Sequence, residues 1–326
     1  MSSQMSNRAG AMGEILDVEG PYEMAPFAKA LLKLGAERPE VVALTADMGR
    51  FSDMNEFRDM YPERFFNVGM AEQDLLMVAA GIAKTGKVAY CTTYSVFVTR
   101  RALDFLQIAC AHSNADVKIF GGMPGLTNPY GATHQATDDL SILRLIPNIT
   151  IIDPCDATEL AQVTAAVADI PGTVYVRSLR GKVPVVLDPD TYTFDVGKAK
   201  RLRSGSDVGV ISTGTMTERA LRSADLATEH GLSVGVLHVP TIKPFDSEAV
   251  VEFARSVDRL VVAENHQMTG GLATLVTEAL YETGVHRPMI RIGIQNVFHE
   301  CGSQAYIEAK YGLDQERITR AVITGA

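Results

Sequence analysis

A single carboxylate stands at the start of a segment that is otherwise built for burial. The segment is FFNVGMAEQDLLMVAAGIA, residues 65–83, and the carboxylate is Glu72. The spacing of the apolar residues predicts a helix packed on most of its surface, which the chain enters through the flexible Gly69. Taken alone, Glu72 could be a first-turn acid that complements the helix dipole. It could also carry chemistry, and two further stretches bear on that choice.

The first of these stretches is aromatic. In YCTTYSVFVTRRALD, Tyr94 and Phe97 stand three residues apart beside a predicted strand end. Two rings at that spacing can project from neighbouring positions into one crevice. The ordinary alternative is that both are core or interface aromatics.

The second stretch is a loop rich in glycine. Residues 121–140 hold four glycines, two prolines and His134, just before a helix whose first turn carries Asp138 and Asp139. Ligands in open parallel sheets bind outside the carboxyl ends of the strands, where loops of this kind lie. Alone, His134 could be a helix-start hydrogen-bonding group. Glu72, the aromatic pair and this loop follow successive strands of one predicted sheet, which favours a shared site.

Short β-rich runs alternate with helical spacing along the chain. This alternation predicts an α/β fold with two consecutive parallel-sheet domains, of which the second is smaller. The runs are VVALTA, KVAYCT, DVKIFGG, NITIID and TVYVRS, and later DVGVIST, SVGVLHV, RLVVAE and PMIRIGI.

Composition gives the predicted boundaries. Residues 1–20 are rich in Ser, Asn, Gln and Gly and predict a flexible tail. Residues 21–183 form the first predicted domain, and residues 184–206 are a linker rich in Pro, Asp, Gly and Lys. Residues 207–326 form the second domain.

Charge and cysteine usage exclude several classes of protein. The formal charge of −9 argues against a nucleic acid or an anionic membrane as partner, because either requires a basic face. Apolar runs are too short to span a membrane. The four cysteines lack the spacing of a zinc site or a disulfide scaffold, so a cytoplasmic location is expected.

Read together, these stretches resemble the transketolase family over nearly the whole chain from Tyr22 onward. RFFNVGMAEQD resembles the segment with that family's cofactor-activating glutamate, and GATHQ resembles its histidine loop. LRLIPNITIIDPCDATE, VRSLRGKVP, VPTIKPFD and ENHQMTGGLA extend the match in the same order. The resemblance implies a thiamine diphosphate pyrimidine-binding domain followed by a transketolase C-terminal-like domain.

The resemblance also implies roles for individual residues. Glu72 would hydrogen-bond the aminopyrimidine ring of thiamine diphosphate and favour the imino tautomer that deprotonates the thiazolium carbon. Tyr94 and Phe97 would pack against that ring, and Asp47 would lie near the cofactor end of the pocket. His134 would be catalytic and would help to hold the donor or its phosphate.

Substrate contacts follow from the same resemblance. Arg180 matches the family's phosphate-binding arginine, whose guanidinium suits a sugar phosphate. The histidine loop departs from the family, which usually has an acidic GEDG where this chain has NPYG, with Tyr130 in the place of the acid. Tyr130 is therefore expected to contact the substrate and to change the donor specificity toward an unusual ketose or ketose phosphate.

A missing motif predicts a partner chain. Full-length transketolases bind the diphosphate through Mg²⁺ in an earlier domain with a GDG motif, and no GDG occurs here. We therefore expect the C-terminal subunit of a two-chain transketolase, with the Mg²⁺ ligands on a separate N-terminal subunit and none on this chain. An α2β2 heterotetramer would place each cofactor at a subunit interface.

Other functions of similar architecture remain open. The beta chain of a 2-oxo acid dehydrogenase's decarboxylating component also has an activating glutamate and a partner chain. Deoxyxylulose phosphate synthase shares the aromatic and THQ motifs, but is normally fused to its first domain. A non-catalytic paralogue would keep the fold and lose the chemistry.

Overall fold

The computed structural model describes residues 20–326. The flexible tail predicted for residues 1–20 lies outside this range, apart from Gly20. Within residues 20–326, no helix is both long and apolar enough to cross a membrane.

Fourteen strands in the described range form two main sheets and one small pair. The strands of the main sheets include the predicted runs. They are rich in buried β-branched and aromatic residues because both faces of each main sheet are covered. The strands are β1 Tyr22–Met24, β2 Val41–Thr45, β3 Phe65–Asn67, β4 Val88–Tyr94, β5 Val117–Gly122, β6 Ile149–Ile152, β7 Thr173–Ser178, β8 Lys182–Pro184, β9 Lys200–Arg203, β10 Val208–Ser212, β11 Val234–His238, β12 Thr241–Lys243, β13 Arg259–Gln267 and β14 Met289–Ile294.

Helices connect the strands and cover both sides of the sheets. Several begin at acids whose side chains accept backbone N–H groups, as Asp156 does from Glu159 at 2.8 Å and Asp314 from Arg317 at 2.9 Å. The α-helices are α1 Pro26–Glu37, α2 Asn55–Met60, α3 Glu72–Ala83, α4 Leu103–Phe105, α5 Asp139–Arg144, α6 Ala157–Ala166, α7 Met216–Glu229, α8 Ser247–Arg255, α9 Leu272–Glu282, α10 Gln304–Tyr311 and α11 Gln315–Thr324. The chain also makes π-helical turns at Phe97–Arg101 and Leu106–His112, and 3-10 turns at Pro62–Arg64 and Val167–Asp169.

The two sheets confirm the predicted fold class of two consecutive α/β domains. The first sheet has the order β12-β6-β7-β5-β4-β2-β3, and the second has the order β14-β13-β10-β11-β9. Neighbouring strands are parallel except at one edge of each sheet, where β12 and β9 run antiparallel. Each domain is therefore a parallel sheet closed by one antiparallel strand.

The edge strand β12 links the two domains. It follows β11 in the second half of the chain, yet it pairs with β6 of the first sheet, with Thr241 opposite Ile152. Main-chain hydrogen bonds thus cross from one domain to the other, and the domains share one packed interface. The predicted boundaries of the domains stay predictions.

A buried arginine carries a second link between the domains. Arg177 on β7 is 1% exposed and donates from Nε and Nη2 to both carboxylate oxygens of Asp139, at 2.8 and 2.6 Å. Its Nη1 donates to Asp153 at 3.3 Å and to the carbonyl of Asn265 in the second domain at 3.1 Å. Burial alone would raise the pKa of Asp139, but the charge and hydrogen bonds of Arg177 outweigh it and lower that pKa.

Replacing Asp139 with Asn should destabilise the fold strongly. The change removes the closer of the two carboxylates that pair with the buried guanidinium of Arg177, and breaking a buried ion pair typically costs about 3–5 kcal/mol. Urea unfolding followed by circular dichroism measures the free energy of unfolding.

Asp138 provides the matched control. It pairs with Arg100 at 2.8 Å, but both side chains are partly exposed. Asp138→Asn should cost under about 1 kcal/mol. An equal loss of unfolding free energy in both variants would show that the buried Arg177–Asp139 pair contributes no more than the partly exposed Arg100–Asp138 pair.

Candidate active site

Glu72 begins helix α3 and is buried. It is 2% exposed, and its helix follows a bend at Gly69, whose φ of 80° favours glycine. Arg101 Nη1 donates to the two carboxylate oxygens at 3.0 and 2.8 Å. The Arg101 side chain is itself 48% exposed. A buried carboxylate is thus paired with a cation that reaches in from the surface.

Tyr94 and Phe97 lie together beside this pair. Tyr94 ends β4, and Phe97 begins the π-helical turn that follows. Their ring centroids are 5.8 Å apart with an interplanar angle of 27°. Arg101 is four residues after Phe97, and its Cζ lies 4.3 Å from the Phe97 centroid. The predicted aromatic pair and Glu72 therefore meet through Arg101.

His134 joins the same group from the glycine-rich loop. Its ring meets those of Phe97, Tyr94 and Tyr130 edge to face, with centroid distances of 5.3, 6.2 and 5.5 Å. Its Nδ1 lies 2.8 Å from the Thr133 hydroxyl, which helps to orient the imidazole. The loop predicted to carry His134 thus packs against the aromatic pair.

The second domain holds the loop in place. Ala132 N donates to the His299 carbonyl at 3.1 Å, and Gly302 N donates to the Pro129 carbonyl at 3.2 Å. Gly131 has a φ of 80°, and a Cβ on it would meet Cys301 Sγ at 2.7 Å. This close approach requires glycine beside Tyr130.

Arg180 follows β7 and carries unused hydrogen-bond donors. Within residues 20–326, its buried Nε and Nη2 atoms have no hydrogen-bond partner. Its charge is close enough to Tyr94 to oppose the effect of burial, which raises the pKa of that phenol. A guanidinium with free buried donors is suited to an anion such as a phosphate.

Asp47 lies at the carboxyl end of β2 and is tied to the start of α3 through one residue. Asn67 accepts from Asp47 N at 2.9 Å, donates to Asp47 Oδ1 at 3.1 Å, and also accepts from Gly69 N at 3.0 Å. Asp47 and Asn67 line a cavity of about 430 Å³ at this edge of the sheet. The structure thus joins Asp47 to the bend that precedes Glu72.

One buried cluster has ligand types that metals use. Potential ligand atoms of Cys155, Glu159 and His238 lie within 4.8 Å of one another. They are already engaged: Glu159 contacts His238 Nε2 and the Cys155 backbone N–H at 2.8 Å each, and His238 Nδ1 meets the Thr217 hydroxyl at 2.8 Å. Burial also raises the pKa of the Cys155 thiol. We read this cluster as a hydrogen-bonded joint between the domains.

The sequence interpretation missed Arg101. The signal was present, because a cation four residues after Phe97 in a helical segment shares its face. The sequence gives no reason to prefer Arg101 over its neighbour Arg100, which donates from Nε and Nη2 to Asp138 instead.

Two family profiles cover most of the chain. The profile "Transketolase, pyrimidine binding domain" matches residues 24–185. The profile "Transketolase, C-terminal domain" matches residues 197–318.

Relatives of similar length carry transketolase names. The chain is 44% identical over 313 residues to a putative uncharacterized transketolase family protein of Sinorhizobium fredii, covering 95% of this chain and 91% of the relative. It is 36% identical to a 6-deoxy-6-sulfo-D-fructose transketolase subunit of a Clostridium species, covering 90% and 91%. A solved structure described as a split gene transketolase, inactive beta4 tetramer, superposes with a TM-score of 0.85 at 35% identity, covering 92% of this chain and 97% of that one. The chain therefore belongs to the transketolase family, as a split subunit that unites the pyrimidine-binding and C-terminal domains.

Proposed function

We propose that this chain is the C-terminal subunit of a two-chain transketolase dependent on thiamine diphosphate. The enzyme would transfer a two-carbon ketol unit from a ketose or ketose phosphate donor to an aldose or aldose phosphate acceptor. The observation that carries the proposal is that Arg101 links buried Glu72 to the group of the Phe97, Tyr94 and His134 rings at the carboxyl edge of one parallel sheet.

The residues present fit a planar nitrogen heterocycle. The Arg101 guanidinium, a flat group of N–H donors, already lies against the Phe97 ring and Glu72 together. An aminopyrimidine ring presents the same combination of a flat face and polar edge atoms. When bound, thiamine diphosphate supplies a thiazolium carbon that can be deprotonated and can carry the two-carbon unit.

The chain's own residues would then have separate tasks. Glu72 would hold a proton against a pyrimidine ring nitrogen, and Phe97 and Tyr94 would exclude water from that contact. Asp47 would lie toward the cofactor end of the pocket. His134 and Tyr130 would contact the donor sugar, with a phenol hydroxyl in place of the family's acid.

Arg180 would bind the anionic end of the substrate. Its free buried donors suit a phosphate or a sulfonate, and the Clostridium relative is named for a sulfonated ketose. This agrees with an unusual ketose as donor.

A separate N-terminal subunit would complete the enzyme. It would carry the diphosphate site and its Mg²⁺ ligands, in a cytoplasmic α2β2 assembly. The split gene relative, described as an inactive beta4 tetramer, supports this division.

Replacing Glu72 with Gln should abolish ketol transfer by the complete complex. Loss of a positioned proton-transfer group costs about 10²–10⁴ in rate. The assay mixes this chain with its partner subunit, thiamine diphosphate and Mg²⁺, and follows sugar products by mass spectrometry.

Asp74→Asn is the control, because Asp74 is exposed in the same first turn of α3. It should leave the rate within about twofold. Unchanged transfer in Glu72→Gln would remove Glu72 from the mechanism. Absence of transfer by the wild-type complex would favour a non-catalytic paralogue. Turnover of a 2-oxo acid instead of a ketose would favour the dehydrogenase component.

Replacing Arg180 with Met should weaken the binding of phosphorylated donors. Hydrogen bonds to charged groups contribute about 1.5–3 kcal/mol, so KM should rise about 10- to 100-fold with a smaller change in kcat. Steady-state kinetics with a ketose phosphate and the matching unphosphorylated ketose separate the effects. An equal change for both donors would contradict an anion site at Arg180.

A further inference from the structure

Arg101 already makes the two contacts that the proposed function assigns to the cofactor's pyrimidine ring. Its Nη1 meets both oxygens of Glu72 at 3.0 and 2.8 Å, and its Cζ lies 4.3 Å from the centroid of Phe97. Guanidinium and aminopyrimidine groups are both flat and present N–H donors at their edge. The guanidinium pairs with a carboxylate, the pyrimidine ring nitrogen pairs with a carboxyl group that shares its proton, and both groups stack on an aromatic face. The two groups cannot occupy the same place at once.

The different exposure of the two side chains makes their pairing reversible. Glu72 has a side chain only 3% exposed, whereas that of Arg101 is 48% exposed. The half-exposed arginine can therefore move fully into water, whereas the carboxylate stays buried. Without Arg101, the buried carboxylate would lose its partner until a ligand arrived.

We propose that Arg101 is a placeholder in the pyrimidine subsite, which pairs with Glu72 and covers Phe97 in the free chain and swings into solvent when the pyrimidine binds. The inference rests on the proposed function and adds a positioning residue to it. Cofactor binding then competes with an internal cation. The observed affinity equals the intrinsic affinity multiplied by the fraction of chains in which Arg101 has left the subsite.

The neighbouring Arg100 shows what an ordinary ion pair looks like in this segment. It donates to Asp138 from Nε at 3.1 and 3.2 Å and from Nη2 at 2.8 Å. That pair includes neither Glu72 nor the Phe97 face. Arg100→Met is therefore a matched control of the same residue type, one position away.

Calorimetry on the full chain tests the proposal. Two probes are titrated separately into wild type, Arg101→Met and Arg100→Met: thiamine diphosphate with Mg²⁺, and its pyrimidine half, 4-amino-5-hydroxymethyl-2-methylpyrimidine. If Arg101 occupies the subsite in about nine chains of ten, Arg101→Met should bind both probes about tenfold more tightly. Arg100→Met should stay within about twofold of wild type.

A second measurement uses the wild-type chain and therefore does not require a variant to fold. In wild-type chain labelled with ¹⁵N-arginine, the Arg101 side-chain Nε–H signal should shift when the pyrimidine half is added, while that of Arg100 should not. Arg101→Lys, which keeps a charge but cannot cover the ring as a flat group, should give an intermediate affinity.

The outcomes separate the two proposals. Equal or weaker binding by Arg101→Met, an unmoved Arg101 signal at saturation, or no binding of either probe to the variant would overturn the placeholder. The proposed function is judged independently, by ketol transfer of the complete complex with and without Glu72. Transfer that depends on Glu72, together with unchanged affinity in Arg101→Met, would leave the function standing and remove the placeholder.

Discussion

The buried Arg177 guanidinium fixes the geometry on which the rest of the structure depends. A desolvated charge must be fully paired, and Arg177 meets that demand with Asp139 at the start of α5, Asp153 after β6 and the Asn265 carbonyl within β13. The Tyr175 hydroxyl donates to the same Asp139 at 2.8 Å. These partners come from both domains, so a shift of the domains would remove the Asn265 hydrogen bond of the buried guanidinium. The end of the histidine loop, which runs directly into Asp139, is anchored by the same contacts.

The second domain acts as a frame for that loop. Asn265 accepts from Leu126 N at 3.0 Å through its side chain, while Gln267 N donates to the Thr137 carbonyl at 2.8 Å. A Cβ on Gly125 would lie 2.4 Å from Asn265, so the two backbones pack at glycine distance. Together with the contacts of His299 and Gly302, these bonds hold the loop along its length. The smaller domain therefore positions His134 and Tyr130 although it contributes neither.

The sequence predicted the sheets better than the contacts between them. Short runs rich in β-branched residues are typical of strands covered on both faces, and each predicted run became a strand. The pairing of β12 with β6 was not predictable, because Thr241–Lys243 is too short to show a period and its partner is set by tertiary packing. Asp138 and Asp139 look alike in sequence, yet one pairs with Arg100 at the surface and the other with buried Arg177. Local pattern does not reveal which of two adjacent acids the fold buries.

The exposure of the paired arginine distinguishes the roles of two buried carboxylates, Asp139 and Glu72. Asp139 accepts a two-nitrogen fork from a guanidinium that is itself buried, so the pair has no route to solvent and serves the fold. Glu72 accepts from a single nitrogen of a half-exposed arginine, so its partner can leave while the carboxylate stays in place. Burial gives both acids a strong demand for a partner, but only Glu72 can exchange one partner for another. A buried carboxyl group whose partner can be replaced suits the pyrimidine subsite proposed for Glu72.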